Sequence, residues 1–274
     1  MRFLALLFLS FAAQTCAFVL SRPANQRTNV KFFSSAPSDV DSSMDMPQDI
    51  GDDEERQSMK RKLIQLCASY DRGYGASASA KQKVNDLVAE LELMNPTPIN
   101  AAEGVDGEYT GDEIPLKGAW RMVWTTALDV LNLGANPVAA PGSIYQVIDP
   151  PIATNIIDFI PRAQTLLPTN FPSSLLRAEV KTRTSKRASN SNRVGLVFEA
   201  VSLKPVEVFG MKADMLPPFS VNFPQIKFED IPGVDPETAP GFFDVTYLDD
   251  DMLIIKQNAP GGYFVSVKVD DYDP

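Results

Sequence analysis

Leu116-Lys-Gly-Ala-Trp-Arg-Met-Val-Trp-Thr-Thr126 has a period of two. Leu116, Gly118, Trp120, Met122 and Trp124 fall on one face, and Lys117, Ala119, Arg121, Val123 and Thr125 on the other. Successive Cβ atoms of a strand point to opposite sides, so this alternation predicts a half-buried strand rather than a helix. Gly118 lets a neighbouring backbone or ring come close. Trp120, two residues on, shares its face.

Downstream the same period recurs. Strand candidates fall at 143–148, 152–160, 176–184, 193–201, 219–228, 242–247, 252–256 and 262–269. Val194, Leu196, Phe198 and Ala200 share one face, as do Tyr263, Val265, Val267 and Val269. The phase slips around Pro224, which predicts a bulge or an edge there. Eight or nine strands separated by turn signals, with no βα alternation, predict one antiparallel barrel or sandwich over 115–270. No Gly-rich phosphate loop is present, so nucleotide binding has no support.

Upstream the period is 3.6. Leu63, Ile64, Leu66, Cys67 and Tyr70 form an apolar stripe on a helix at 60–70, closed by Asp71-Arg-Gly73. Val84, Leu87, Val88, Leu91 and Met94 form a cleaner stripe at 81–94, with Ser79 as its expected N-cap and Asn95-Pro96 as its stop. The two make a helical pair over 59–95 within a domain spanning 59–274. Cys67 reads as a buried structural thiol, the alternative being a redox or intermolecular role.

The N-terminus reads as an address. Arg2 precedes the apolar run 3–13, and small residues Thr15 and Ala17 precede Phe18, the pattern of a signal peptide over 1–17. Residues 18–37 carry Ser, Asn, Arg and no acid, as organelle transit peptides do. Phe directly after the cleavage site resembles the bipartite presequence of algae with secondary plastids; simple secretion is the alternative. Residues 38–58 then turn acidic and read as a solvated, disordered linker, cation binding being the functional alternative. The address run is too short to span a bilayer, and no transmembrane segment is expected in the mature protein.

The chain of 274 residues contains no histidine. That removes Ser-His-Asp and Cys-His nucleophile arrangements and imidazole metal ligation. Net charge is −10, and removing the four leader cations Arg2, Arg22, Arg27 and Lys31 leaves about −14. An acidic surface repels nucleic acid, which is therefore not an expected partner. No cofactor, metal or catalytic set is expected, and the protein reads as a non-enzyme.

Two groups of residues invite a functional reading. Trp120, Met122 and Trp124 serve either as core or as the wall of a ligand cavity; Tyr145, Phe198, Phe219, Tyr263 and Phe264 are further lining candidates. Arg177, Lys181, Arg183, Lys186, Arg187 and Arg193 form a basic hairpin, read either as a solvated loop or as a contact for anionic lipid headgroups. The apolar stretch 155–167 reads as core, with an exposed apolar lip as the alternative. Asp249-Asp250-Asp251 reads as a tight hairpin turn rather than a calcium loop, and Glu90/Glu92 and Glu229/Asp230 as surface charge.

In order, Lys62-Leu-Ile, Asp71-Arg-Gly73, Leu91-Glu-Leu-Met-Asn-Pro-Thr-Pro98, the 116–126 strand, Ile144-Tyr-Gln-Val-Ile-Asp149 with Asn155, Asp244-Val-Thr-Tyr-Leu-Asp-Asp-Asp251 and Gly262-Tyr-Phe-Val265 resemble the signatures of the plastid lipid-associated protein family, also called fibrillins or plastoglobulins. The match runs over about 60–268. The resemblance implies a lipocalin-like antiparallel β-barrel with N-terminal helices and a plastid location in stroma, plastoglobule or thylakoid. It also implies an apolar partner: prenyl-quinone, carotenoid or fatty acid in the barrel, or the lipid surface itself. Docking of the helical pair onto a prenyl-lipid biosynthetic enzyme is the alternative. One departure stands out. Where the family carries Arg, this chain has Leu253; if that arginine packs over the closing tryptophan, as in lipocalins, the closure here differs.

Overall fold

In the computed structural model, β1 (Gly118–Thr125) is one strand of a closed antiparallel barrel. The structure describes residues 50–108, 111, 113–168, 171–187, 190–213, 215–224, 241–258, 261–270 and 272. The expected signal and transit segments at 1–37, residues 38–49 of the linker, and the expected strand stretch at 225–228 lie outside them.

Among the described residues the sheet has ten strands. The others are β2 (Ala139–Asp149), β3 (Ile152–Pro161), β4 (Leu175–Arg187), β5 (Asn190–Val208), β6 (Met211–Lys212), β7 (Phe219–Asn222), β8 (Phe242–Leu248), β9 (Met252–Gln257) and β10 (Gly262–Val269). Neighbours run β4-β3-β2-β1-β10-β9-β8-β5, and a long β4–β5 pairing from Leu175↔Glu207 to Arg187↔Asn190 closes the ring of eight. β5 is long enough to serve four partners. Its first part pairs β8 through Arg193–Gly195, and its later part carries β7 and β6 on the far side. β7 ends at Asn222, before Pro224.

Two helices cover one outer wall. α1 (Ile50–Ser69) begins inside the stretch read as a linker, ten residues before the expected start. Asp53, Glu54 and Glu55 sit in its first turns, where negative charge favours the positive end of the helix dipole, and Arg56 pairs with Asp53 one turn back. An acidic composition that reads as spacer is thus also a good helix start. α2 (Ala78–Leu93) is capped by Ser77, not Ser79: the backbone N–H of Ala80 donates to Ser77 Oγ at 3.2 Å.

Leu63 and Cys67 of α1 and Val84, Val88 and Leu91 of α2 pack against Trp124, Tyr247, Met252, Ile254 and Val265. Each such aliphatic side chain contributes roughly 1.5–3 kcal/mol on burial. The Cys67 thiol is buried, and that burial pushes its pKa up to about 12. Because these strands are covered on both sides, Met252-Leu-Ile-Ile255 is apolar throughout. Met252 and Ile254 meet the helices, while Leu253 and Ile255 belong to the cluster inside the barrel.

Trp124 departs from the expected alternation. The β1–β10 register slips between Met122↔Ser266 and Trp124↔Val265. One extra residue reverses the side on which everything beyond it lies. Trp120 and Met122 therefore face the barrel interior, and Trp124 joins the helix-facing cluster.

The family-like motifs between helices and barrel act as fasteners. Arg72, at φ 58°, donates to the carbonyls of Pro141 and Gly142 on β2. Gly73, at φ 103°, lets the chain pass where a Cβ would collide with the Thr125 carbonyl oxygen. Asn95 donates to the carbonyls of Thr97 and Thr246 and accepts from the N–H groups of Thr97 and Leu248. Beyond it the chain crosses the lower end of the barrel, where Ala101, Ala102 and Val105 are wholly buried against Trp120.

Candidate functional site

The barrel has a sealed end and a hollow end. At the sealed end Trp120 is fully buried among Leu116, Ile148, Ala153 and Leu253, and its Nε1 donates to the Leu116 carbonyl at 3.0 Å. Lys268 of β10 stands over the ring, its Nζ 5.6 Å from the centroid. Gly118, at φ 142°, leaves space for the Lys268 stem. A cation from β10 thus meets the closing tryptophan, and Leu253 packs in the same floor.

Above this floor lies a cavity of about 180 Å³. Its walls are mainly apolar: Met122, Ile144, Ile157, Val180, Leu196, Phe198, Phe243, Ile255 and Phe264. A short helix, α3 (Leu128–Leu131), and the 3-10 turn Asn132–Ala135 that follows it contribute Asp129, Val130 and Leu133 to the lining at the hollow end. Arg162 fastens this cap, donating to the Gly134 carbonyl at 2.6 Å and the Asn136 carbonyl at 2.7 Å.

Of the expected lining residues, Met122, Tyr145, Phe198 and Phe264 border the cavity, the Tyr145 ring also packing on Tyr272 at 5.1 Å. Trp120 lies in the floor beneath. Trp124 lies on the helix side for the reason given above. Tyr263 precedes Phe264 on the same strand and so faces the other way, against the helix cluster, with Lys256 Nζ 5.6 Å from its ring. Phe219 is half-exposed on β7, outside the ring of eight.

Most cations of the basic hairpin lie beside a carboxylate. Arg177 is buried against Asp158, with Nε donating to Oδ1 at 2.8 Å. Arg183 and Lys181 share Glu199, at 2.5 and 3.8 Å. Lys186 pairs with Glu103 at 2.5 Å, and Arg193 forks onto Asp244 at 2.7 and 3.0 Å while lying 4.0 Å over the Phe242 ring. Arg187 pairs in backbone register with Asn190, beside the hairpin tip.

Sequence reasoning missed Asp129, Val130, Leu133 and Gln257. The available signal was a lone acid inside the apolar run Ala-Leu-Asp-Val-Leu, 127–131. Burial pushes the Asp129 carboxyl up, and the backbone N–H of Val130 and the Gln257 side chain only partly offset it. Asp129 Oδ1 and Gln257 Oε1 are both shut from solvent without a hydrogen-bond donor.

The sequence that builds this barrel matches a known family. The PAP_fibrillin family model covers residues 57–266. The chain belongs to the PAP_fibrillin family. Plastid lipid-associated protein 2, chloroplastic, of Brassica campestris is 26% identical over 243 residues, 78% of this chain and 70% of that protein. Plastid-lipid-associated protein 6, chloroplastic, of Arabidopsis thaliana is 25% identical over 75% of this chain and 68% of its own length. Plastoglobulin-1, chloroplastic, of Pisum sativum is 26% identical over 58% and 40% respectively. No solved structure matches at a significant level. As a PAP_fibrillin protein with chloroplastic relatives, the chain is a plastid protein. Among the described residues no helix is long and apolar enough to cross a membrane.

Proposed function

We propose that this PAP_fibrillin barrel holds one apolar lipid molecule, non-catalytically, in the cavity above Trp120. The carrying observation is the cavity itself: about 180 Å³, apolar-walled, floored by packed side chains and, among the described residues, covered at its other end by a short helix and turn. An eight-stranded barrel is just wide enough to hold one small ligand, and transfer of apolar surface from water supplies about 25 cal/mol per Å². A prenyl-quinone, carotenoid or fatty acid tail fits this chemistry; longer chains would extend past α3.

The test is saturable binding of such a lipid to delipidated protein, with Leu196→Phe as the blocked variant. Leu196 lines the cavity and is only partly buried, so the larger ring projects inward at a cost of less than about 2 kcal/mol of stability. Binding should weaken at least about tenfold. Equal binding by the two proteins would place the lipid elsewhere.

A second reading rests on surface side chains. Leu166 and Leu167 follow β3, Phe171 precedes β4, and Phe209 and Met211 flank the β5–β6 turn; all are exposed. The Phe171 and Phe209 rings meet edge-on at 6.1 Å. The register pairs Ala139↔Pro161 and Leu175↔Glu207 put these loops at the barrel end that carries α3. This rim would lay the cavity mouth against a plastoglobule or thylakoid surface. Replacing Phe209 and Met211 by Asp should abolish flotation with lipid droplets and leave cavity binding intact. By contrast, the exposed face of α2 presents Gln82, Lys83, Asp86 and Glu90, a solvated surface that does not favour docking onto a biosynthetic enzyme.

A further inference from the structure

The cavity carries a polar feature that a pure hydrocarbon would leave unsatisfied. Asp129 comes from α3 at the mouth, and Gln257 from the end of β9. Both line the cavity, and they lie against one another. Each has an oxygen closed off from water that accepts no hydrogen bond. Two such acceptors side by side in an apolar pocket call for a donor, because a desolvated acceptor without one is costly.

The kind of donor follows from the surroundings. A cationic head would have to give up its hydration among Val130, Leu133 and Phe264. A carbonyl or quinone oxygen only accepts, and so can donate to neither acceptor. A hydroxyl donates to a carboxylate and also accepts from a carboxylic acid. It therefore fits the Asp129 carboxyl in either protonation state, which matters because burial pushes that carboxyl up.

Resting on the reading of the cavity as a lipid site, we propose that the ligand is a hydroxylated apolar lipid, an alcohol or phenol on a hydrocarbon or isoprenoid body. Its hydroxyl sits between Asp129 and Gln257 at the mouth, and its apolar body runs inward past Met122, Ile157 and Phe198.

The experiment uses the full chain, delipidated, and displaces an apolar fluorescent probe with farnesol, farnesal or farnesene. These share a carbon skeleton and differ in offering a hydroxyl, a carbonyl or no polar head. Farnesol should bind about tenfold more tightly than farnesene, with farnesal close to farnesene. Asp129→Leu should remove most of this preference while farnesene binding holds or improves. Gln257→Leu tests the same point from the other strand should Asp129→Leu fail to fold. Equal affinity for all three ligands, or a farnesol preference that survives Asp129→Leu and Gln257→Leu, overturns the proposal and leaves the lipid site standing. Failure of every ligand to displace the probe overturns both.

Discussion

Lys60 of α1 is almost wholly buried, and its Nζ lies 2.7 Å from Asp249 Oδ2 in the β8–β9 turn. The same ammonium meets Asp251, and the Tyr247 hydroxyl donates to Asp249 Oδ2 at 2.5 Å. The aspartate triplet is thus a hairpin turn, with Asp249 Oδ1 accepting from the N–H groups of Asp251 and Met252. It is also the counter-charge that pins the first helix to the barrel.

Lys60→Ala should therefore be costly. It leaves Asp249 largely buried without its cation, a change that typically costs about 3 kcal/mol. Chemical denaturation should show this loss. Arg61→Ala, the neighbouring change at an exposed position, is the control and should fall within about 0.5 kcal/mol of wild type.

Stability should respond to acid through the same cluster. Burial opposes the Asp249 charge, but hydrogen bonds from Lys60 and Tyr247 overcome it and hold the carboxyl below its ordinary value. A depressed folded pKa gives stability that is fully present above the unfolded value of about 3.9 and is lost as pH falls through the folded value. Asp251 has the opposite sign, raised by burial and by Asp249 beside it. The advantage of wild type over Asp249→Asn should be constant near neutrality and shrink below about pH 4, as urea midpoints measured across pH would register.

Gly73→Ala should destabilise by more than about 1 kcal/mol, since it forces a side chain into left-handed backbone and against the Thr125 carbonyl. Gly75→Ala, two residues on in open surroundings with Tyr70 O 3.7 Å away, is the control and should change the melting temperature little.

Leu253→Arg should be harmful. Leu253 is 1% exposed in the floor cluster, and Lys268 already occupies the face of Trp120. An added guanidinium is buried without a partner, at a cost of about 3 kcal/mol or more. Combining it with Lys268→Leu should recover part of the loss; a double variant no better than the single one would sink this account of the floor.

Much of the barrel is legible in the sequence because alternation is a local property. β8, β9 and β10 lie within a residue or two of their expected places, and Met122, Phe198 and Phe264 do line a cavity. What is not legible depends on distant partners. The bulge that turns Trp124 outward has no glycine or proline to mark it; only the register with β10 reveals it. The floor segment around Ala101–Val105 has no period at all. Tyr263 and Phe264 both read as lining candidates, though in this regular stretch of β10 they point to opposite faces. Asp129 is hidden because one acid in an apolar run looks like loop until a cap folds over a cavity. The pairing of the basic hairpin is hidden because most of its cations meet a carboxylate on a different strand or in the loop ahead of β1: Glu103, Asp158, Glu199 and Asp244.

The insulation of Cys67 makes the protein a reporter on itself. Its thiol reacts as thiolate, and with a pKa of about 12 behind Leu63, Val84 and Trp124 it should stay silent toward alkylating reagents while the helices are seated. The rate at which Cys67 becomes labelled is then a clock for departures of the helical pair from the barrel wall, readable by mass spectrometry in the unmodified chain. A lipid that tightens the whole molecule would slow that clock from a site on the opposite face of β1.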